Sequence, residues 1–89
     1  MKTREEIFND VTNRHYKNSE FYILVHIVSN IEFALWLYPF DAIMKGCVWN
    51  CLTNEETGKR KVARTGDFEE DLYYLIDLLI EDAKEAQML

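Results

Sequence analysis

Eighteen residues near the middle of the chain, FYILVHIVSNIEFALWLY (21–38), constrain the fold more than any other stretch. They form two apolar runs on either side of Ser29-Asn30. In the first, Phe21, Tyr22, Ile23, Val25, Ile27 and Val28 are strong strand formers, being β-branched or aromatic. The second alternates, with Ile31, Phe33, Leu35 and Leu37 on one face and Glu32, Ala34, Trp36 and Tyr38 on the other. A three-residue turn at Ser29-Asn30-Ile31 matches the faces and lays Phe21, Ile23, Val25 and Ile27 beside Phe33, Leu35 and Leu37. The same stretch also suits one long helix from Glu20 to Leu37, with a narrow polar stripe at His26, Ser29 and Asn30. The hairpin leads to a small α+β domain; the alternative is a mostly α domain with one β-hairpin.

Before this stretch, Thr3 with Glu6 three residues on is a capping-box pattern. Ile7, Phe8, Val11 and His15 follow at helical spacing and predict an amphipathic helix over 4–15, and Asn18 and Ser19 end it or start the next element. After it, Pro39 stops the preceding element, and FDAIMKG (40–46) predicts one helical turn closed by Gly46. CVWNCLT (47–53) and KRKVAR (59–64) flank NEETG, a hairpin signal with a glycine near the end of the loop. Asp67 after Gly66 is a good N-cap, with Glu70 three residues on. Phe68, Leu72, Leu75, Leu79, Ala83 and Ala86 share one face, with Ile76 alongside, and predict an amphipathic helix of about 18 residues. The expected architecture is an N-terminal helix, an antiparallel sheet of about four strands and a C-terminal helix packed on the sheet. All of it belongs to one domain, 1–89, since domains run from about 50 to 250 residues.

A chain this short buries only about 60–65% of the surface its unfolded form exposes. Yet 48% of its residues are hydrophobic and 13% aromatic, more large apolar material than so small a core comfortably hides. Part of the apolar surface is therefore expected to meet a partner, as a homodimer or a heterocomplex. The net charge of −6 and pI near 4.8 disfavour direct nucleic-acid binding and anionic membranes, and favour a protein with a basic surface. A lipid-facing helix over 21–44 would place Glu32 near its middle at a cost of about 2–3 kcal/mol. MKTREEIFND begins with charges and shows no apolar signal core. Two cysteines are too few for a disulfide scaffold, so the expected setting is the cytoplasm.

No residue set points to catalysis. Cys47 and Cys51 could offer two thiolates, but zinc needs four ligands and only His15 and His26 remain. On one strand their sulfurs would stand about 13 Å apart, too far for a disulfide, so both read as buried free thiols. His26 reads as a satisfied core or interface histidine and His15 as exposed near a helix end. No Ser or Cys, His and acid are spaced as a nucleophilic set, and the three glycines form no phosphate loop. No enzyme, cofactor or metal is expected.

The charge reversal in KRKVARTGDFEED (59–71) has plain causes. Its anions oppose the macrodipole on a helix's first turn. Its cations Lys59, Arg60, Lys61 and Arg64 alternate across a strand, as on an edge protected from pairing with other chains. One surface stays suggestive: Glu70, Tyr74, Asp77, Glu81 and Glu85 share one side of the last helix, with Lys84 as the only cation there. A row of carboxylates with an aromatic inside it can imitate a phosphate backbone toward a basic groove; a solvated helix face is the plain alternative. The expected function is a small acidic protein-binding module that inhibits or regulates a basic, nucleic-acid-handling protein. Inhibitors encoded by phages or mobile elements are similar in composition only. The alternatives are a self-associating assembly protein, and a small-molecule sensor with a pocket near Trp36, Trp49 and His26.

Overall fold

The computed structural model describes residues 1–88. Two helices enclose four strands in chain order: α1 (Arg4–Asn18), β1 (Tyr22–Val28), β2 (Ile31–Tyr38), β3 (Ile43–Asn50), β4 (Glu55–Ala63) and α2 (Phe68–Met88). The strands form one antiparallel meander in the order β1-β2-β3-β4, so β1 and β4 are its edges. Both helices pack on the same sheet face, α1 beside β1 and α2 across β3 and β4. The fold is the expected small α+β domain.

Helix α1 starts on a complete capping box, in which Thr3 Oγ1 accepts from the Glu6 amide and Glu6 Oε1 from the Thr3 amide. It stops at Ser19, which turns left-handed at φ 55°. Helix α2 starts on Asp67, whose Oδ1 accepts from the Glu70 amide at 3.0 Å. Between the layers lie Ile7 and Val11 of α1, Leu72, Leu75, Ile76, Leu79 and Ala83 of α2, and one face of each strand. Burying a Leu or Ile side chain contributes about 1.5–3 kcal/mol, so this stripe pairing dominates stability.

The central stretch is a hairpin, and its paired rows include Ile23↔Leu35 and Val25↔Phe33. The turn is shorter than expected, because Ser29 takes φ 50° and Ile31 already belongs to β2, where it is buried. Phe21 falls just before β1 and stays about half exposed, against His15.

Residues 40–46 correct the sequence reading. No helical turn forms there; β3 opens at Ile43 and runs through Gly46 to Asn50. Gly46 is no cap: a Cβ at this position would lie 2.9 Å from Leu79 Cδ1 and 3.0 Å from Leu35 Cδ2. The glycine lets α2 approach β3.

The second hairpin also turns elsewhere. Its loop is Cys51–Asn54, and Glu55–Gly58 already belong to β4. Asn50 organises the loop, its Oδ1 accepting from the amides of Leu52 at 3.0 Å and Thr53 at 3.2 Å, as Asx side chains do in turns. Gly58, at φ 75°, sits in a bulge where the partners step from Gly46↔Lys61 to Val48↔Thr57.

Candidate functional site

Two surfaces emerge. The first is the outer side of α2, where Glu70, Tyr74, Asp77, Glu81 and Glu85 are all exposed. They lie opposite the buried stripe Leu72–Leu75–Leu79–Ala83, as 100° per residue requires.

Their charges are not all free. Arg4 of α1 grips Asp77 with two hydrogen bonds, 2.8 Å from Nε and 2.9 Å from Nη2, while its guanidinium lies 4.2 Å from the Tyr73 ring centroid. Glu81 lies 3.5 Å from Lys84. Two further acids of this helix turn away from the stripe. Asp71 is buried and accepts from the Thr65 hydroxyl at 2.6 Å and the Thr65 amide at 3.2 Å, tying the end of β4 to α2. Asp82 forms an ion pair with Lys61 at 3.3 Å, without hydrogen-bond alignment. Glu70 and Glu85 have no ion-pair partner among the described residues. Sequence spacing grouped these residues on one side of the helix but gave no sign that Arg4, 73 residues away, would neutralise the middle of the stripe.

The second surface is the sheet face that carries no helix, and its pairing defines three rows. At one end, Tyr22, Trp36, Lys45 and Val62 lie side by side across the strands. The middle row is Leu24, Ala34 and Cys47. At the other end stand His26, Glu32, Trp49 and Glu56. Tyr38 and the fully exposed Phe40 extend the first row toward the β2–β3 turn. Arg60 reaches from β4 over β3 to the Trp36 ring, 4.6 Å from its centroid, and bonds Glu56 at 2.6 Å. Alternation in IEFALWLY already assigned Glu32, Ala34, Trp36 and Tyr38 to one face, which was the available sign of this surface.

The cysteines divide. Cys47 is buried although it faces the open side, and that burial pushes its thiol up to about 11. Cys51 corrects the expectation of a buried thiol: it lies in the exposed loop, its Sγ 3.1 Å from Glu32 Oε1 and 3.0 Å from Asn30 O. The hydrogen bond to Glu32 raises its pKa first, since the carboxylate favours the protonated thiol.

Both histidines are hydrogen-bonded, His15 Nδ1 to Glu20 O at 2.8 Å and His26 Nε2 to Ser29 O at 2.9 Å. His26 is exposed on the open face, not in the core. His15 is half-buried, stacked on Phe68 with centroids 5.0 Å apart. No three His, Cys, Asp or Glu side chains converge as a metal site among the described residues. Trp36 lines a hollow of about 320 Å³ with Phe21, Tyr22, Tyr38 and Phe40; Trp49 and His26 do not line it. No described helix is long and apolar enough to cross a membrane.

Compared with known proteins, the chain matches no family model, no curated protein and no solved structure.

Proposed function

We propose that the chain is a non-enzymatic protein-binding module that captures a basic protein through the outer side of α2 and so inhibits or regulates it. One observation carries the reading. Glu70, Tyr74, Glu81 and Glu85 are exposed together on a helix whose opposite side is locked into the core. Carboxylates held on a rigid element meet a basic groove without first being ordered, which lowers the entropic cost of binding. A row of carboxylates with an aromatic inside it can imitate a phosphate backbone toward a basic groove, and this makes a nucleic-acid-handling protein the fitting target. The cytoplasm is the setting this reading assumes, in keeping with two free thiols.

The test is capture from a host lysate at low and high salt. Glu70, Glu81 and Glu85 are reversed to Lys together, leaving Asp77 in its contact with Arg4. The triple variant is expected to lose the captured protein, mainly through slower association, while staying folded. The control reverses Lys59 and Arg64, both exposed, and is expected to capture as the parent does. Equal capture by the triple variant, with loss in the control, would move the function to the basic edge strand.

A further inference from the structure

The open sheet face differs electrostatically from the rest of the chain. The whole sequence has 16 acidic residues against 10 Lys and Arg, but on this face Lys45 and Arg60 balance Glu32 and Glu56. The charges are also sorted. Lys45 lies in the row with Tyr22 and Trp36, whereas Glu32 and Glu56 lie four residues further along, in the row with Trp49. Arg60, already bonded to Glu56, lies over the Trp36 ring of the Lys45 row.

We infer that this face binds a second copy of the chain in an isologous dimer whose two-fold axis runs along the Leu24–Ala34–Cys47 row. That axis lays the Lys45 row of each copy over the Glu32 row of the other, so each Lys45 meets the Glu32 and Trp49 of its neighbour. An axis along the strands instead sets each row against itself, so Lys45 meets no carboxylate of the other copy. A basic partner would have no preference for a neutral face. Two copies with a net charge of −6 each repel at a distance, and they can pack only where charge cancels. Both acidic α2 sides point outward in this dimer, so the inference stands independently of the proposed capture.

Size sets the strength. Four strands at 4.8 Å spacing, with their side chains, give a footprint of about 20 Å by 20 Å on each copy, about 800 Å² in total, in the range of weak, transient interfaces. The dimer is therefore weak and reversible.

Sedimentation equilibrium of the intact chain from low micromolar to millimolar concentration tests this. The parent is expected to pass from monomer to dimer. Lys45→Glu and Glu32→Lys should each weaken the dimer at least about tenfold, since each sets like charges face to face. The double variant Lys45→Glu with Glu32→Lys restores the sorting in reverse and should regain the parent's affinity within a few fold. Lys45 and Glu32 are not neighbours within one copy, so this rescue cannot arise inside a monomer and also shows that the variants fold. A parent that stays monomeric throughout overturns the inference. So do single variants that dimerise like the parent, or a double variant without rescue.

Discussion

Gly46 and Leu79 show how a single hydrogen atom decides the approach of α2. A methyl group at Gly46 would meet Leu79 Cδ1 at 2.9 Å and Leu35 Cδ2 at 3.0 Å. Both are side-chain ends, but both leucines are fully buried and have little room to yield. Overpacking typically costs about 1–3 kcal/mol, against about 0.5–1 kcal/mol gained by removing a glycine from a strand. Gly46→Ala is therefore expected to lose about 1 kcal/mol net in urea unfolding. Leu79→Ala should lose about 2–5 kcal/mol, as buried leucines do. The double variant should lose less than the sum of the two, because the new methyl fills part of the vacated space. Strict additivity would mean that the two do not touch. The thiols give a second test at this scale. Native protein should show one alkylatable cysteine, Cys51, while Cys47 reacts only on unfolding, its thiol being pushed up to about 11. Glu32→Gln should speed the Cys51 reaction by removing the carboxylate that holds its proton. Two thiols reacting at one rate in the native protein would refute the division.

Among the elements, β1 is the edge strand that most needs guarding. Phe21 O accepts from the Leu37 amide, so strand alternation turns the amide groups of Tyr22, Leu24 and His26 outward. Arg14 of α1 covers part of this edge, donating to Leu24 O at 2.7 Å while its other nitrogens fork Glu20 at 3.0 and 3.1 Å. Arg14→Ala is expected to lower the melting temperature and to raise light scattering, because an uncovered edge pairs with other chains. The contact carries a pH signature. Its hydrogen bond to Arg14 lowers the Glu20 pKa below the ordinary 4.5. The stabilisation is thus complete above that value and is lost as pH falls through the lowered one. In Arg14→Ala this acid-side loss should be absent; an unchanged acid limb in pH-dependent melts would contradict it.

The elements were unequally legible in the sequence. Helix α2 and the first hairpin were readable because each buries one face, and burial writes a period of 3.6 or 2 into the residues. The first half of β3, Ile43–Gly46, was hidden because Gly46 imitates a helix end, while its actual role depends on a helix more than 30 residues away. The second turn was hidden because Gly58 imitates a turn glycine, whereas the left-handed turn position falls to Asn54, at φ 60°.

For the molecule as a whole, part of the aromatic surplus has a location: a sheet face that neither helix covers, with Phe40 fully exposed at its end, while Tyr16 and Tyr74 are exposed on the helices. The acidic surplus has another location, on the far side of α2. Spacing alone grouped the five residues of that stripe. The charge at its middle depends on Arg4, which only tertiary packing brings to Asp77. We propose the outer side of α2 as the place where a basic partner binds. The most direct test is titration of the isotope-labelled chain with an arginine-rich peptide, followed by amide chemical shifts at low and moderate salt. Shifts are expected to concentrate at Glu70, Tyr74, Glu81 and Glu85 and to fade with salt, with Asp77 less affected because Arg4 already holds it. Shifts spread evenly over all exposed carboxylates, or gathered on the open sheet face, would contradict the claim.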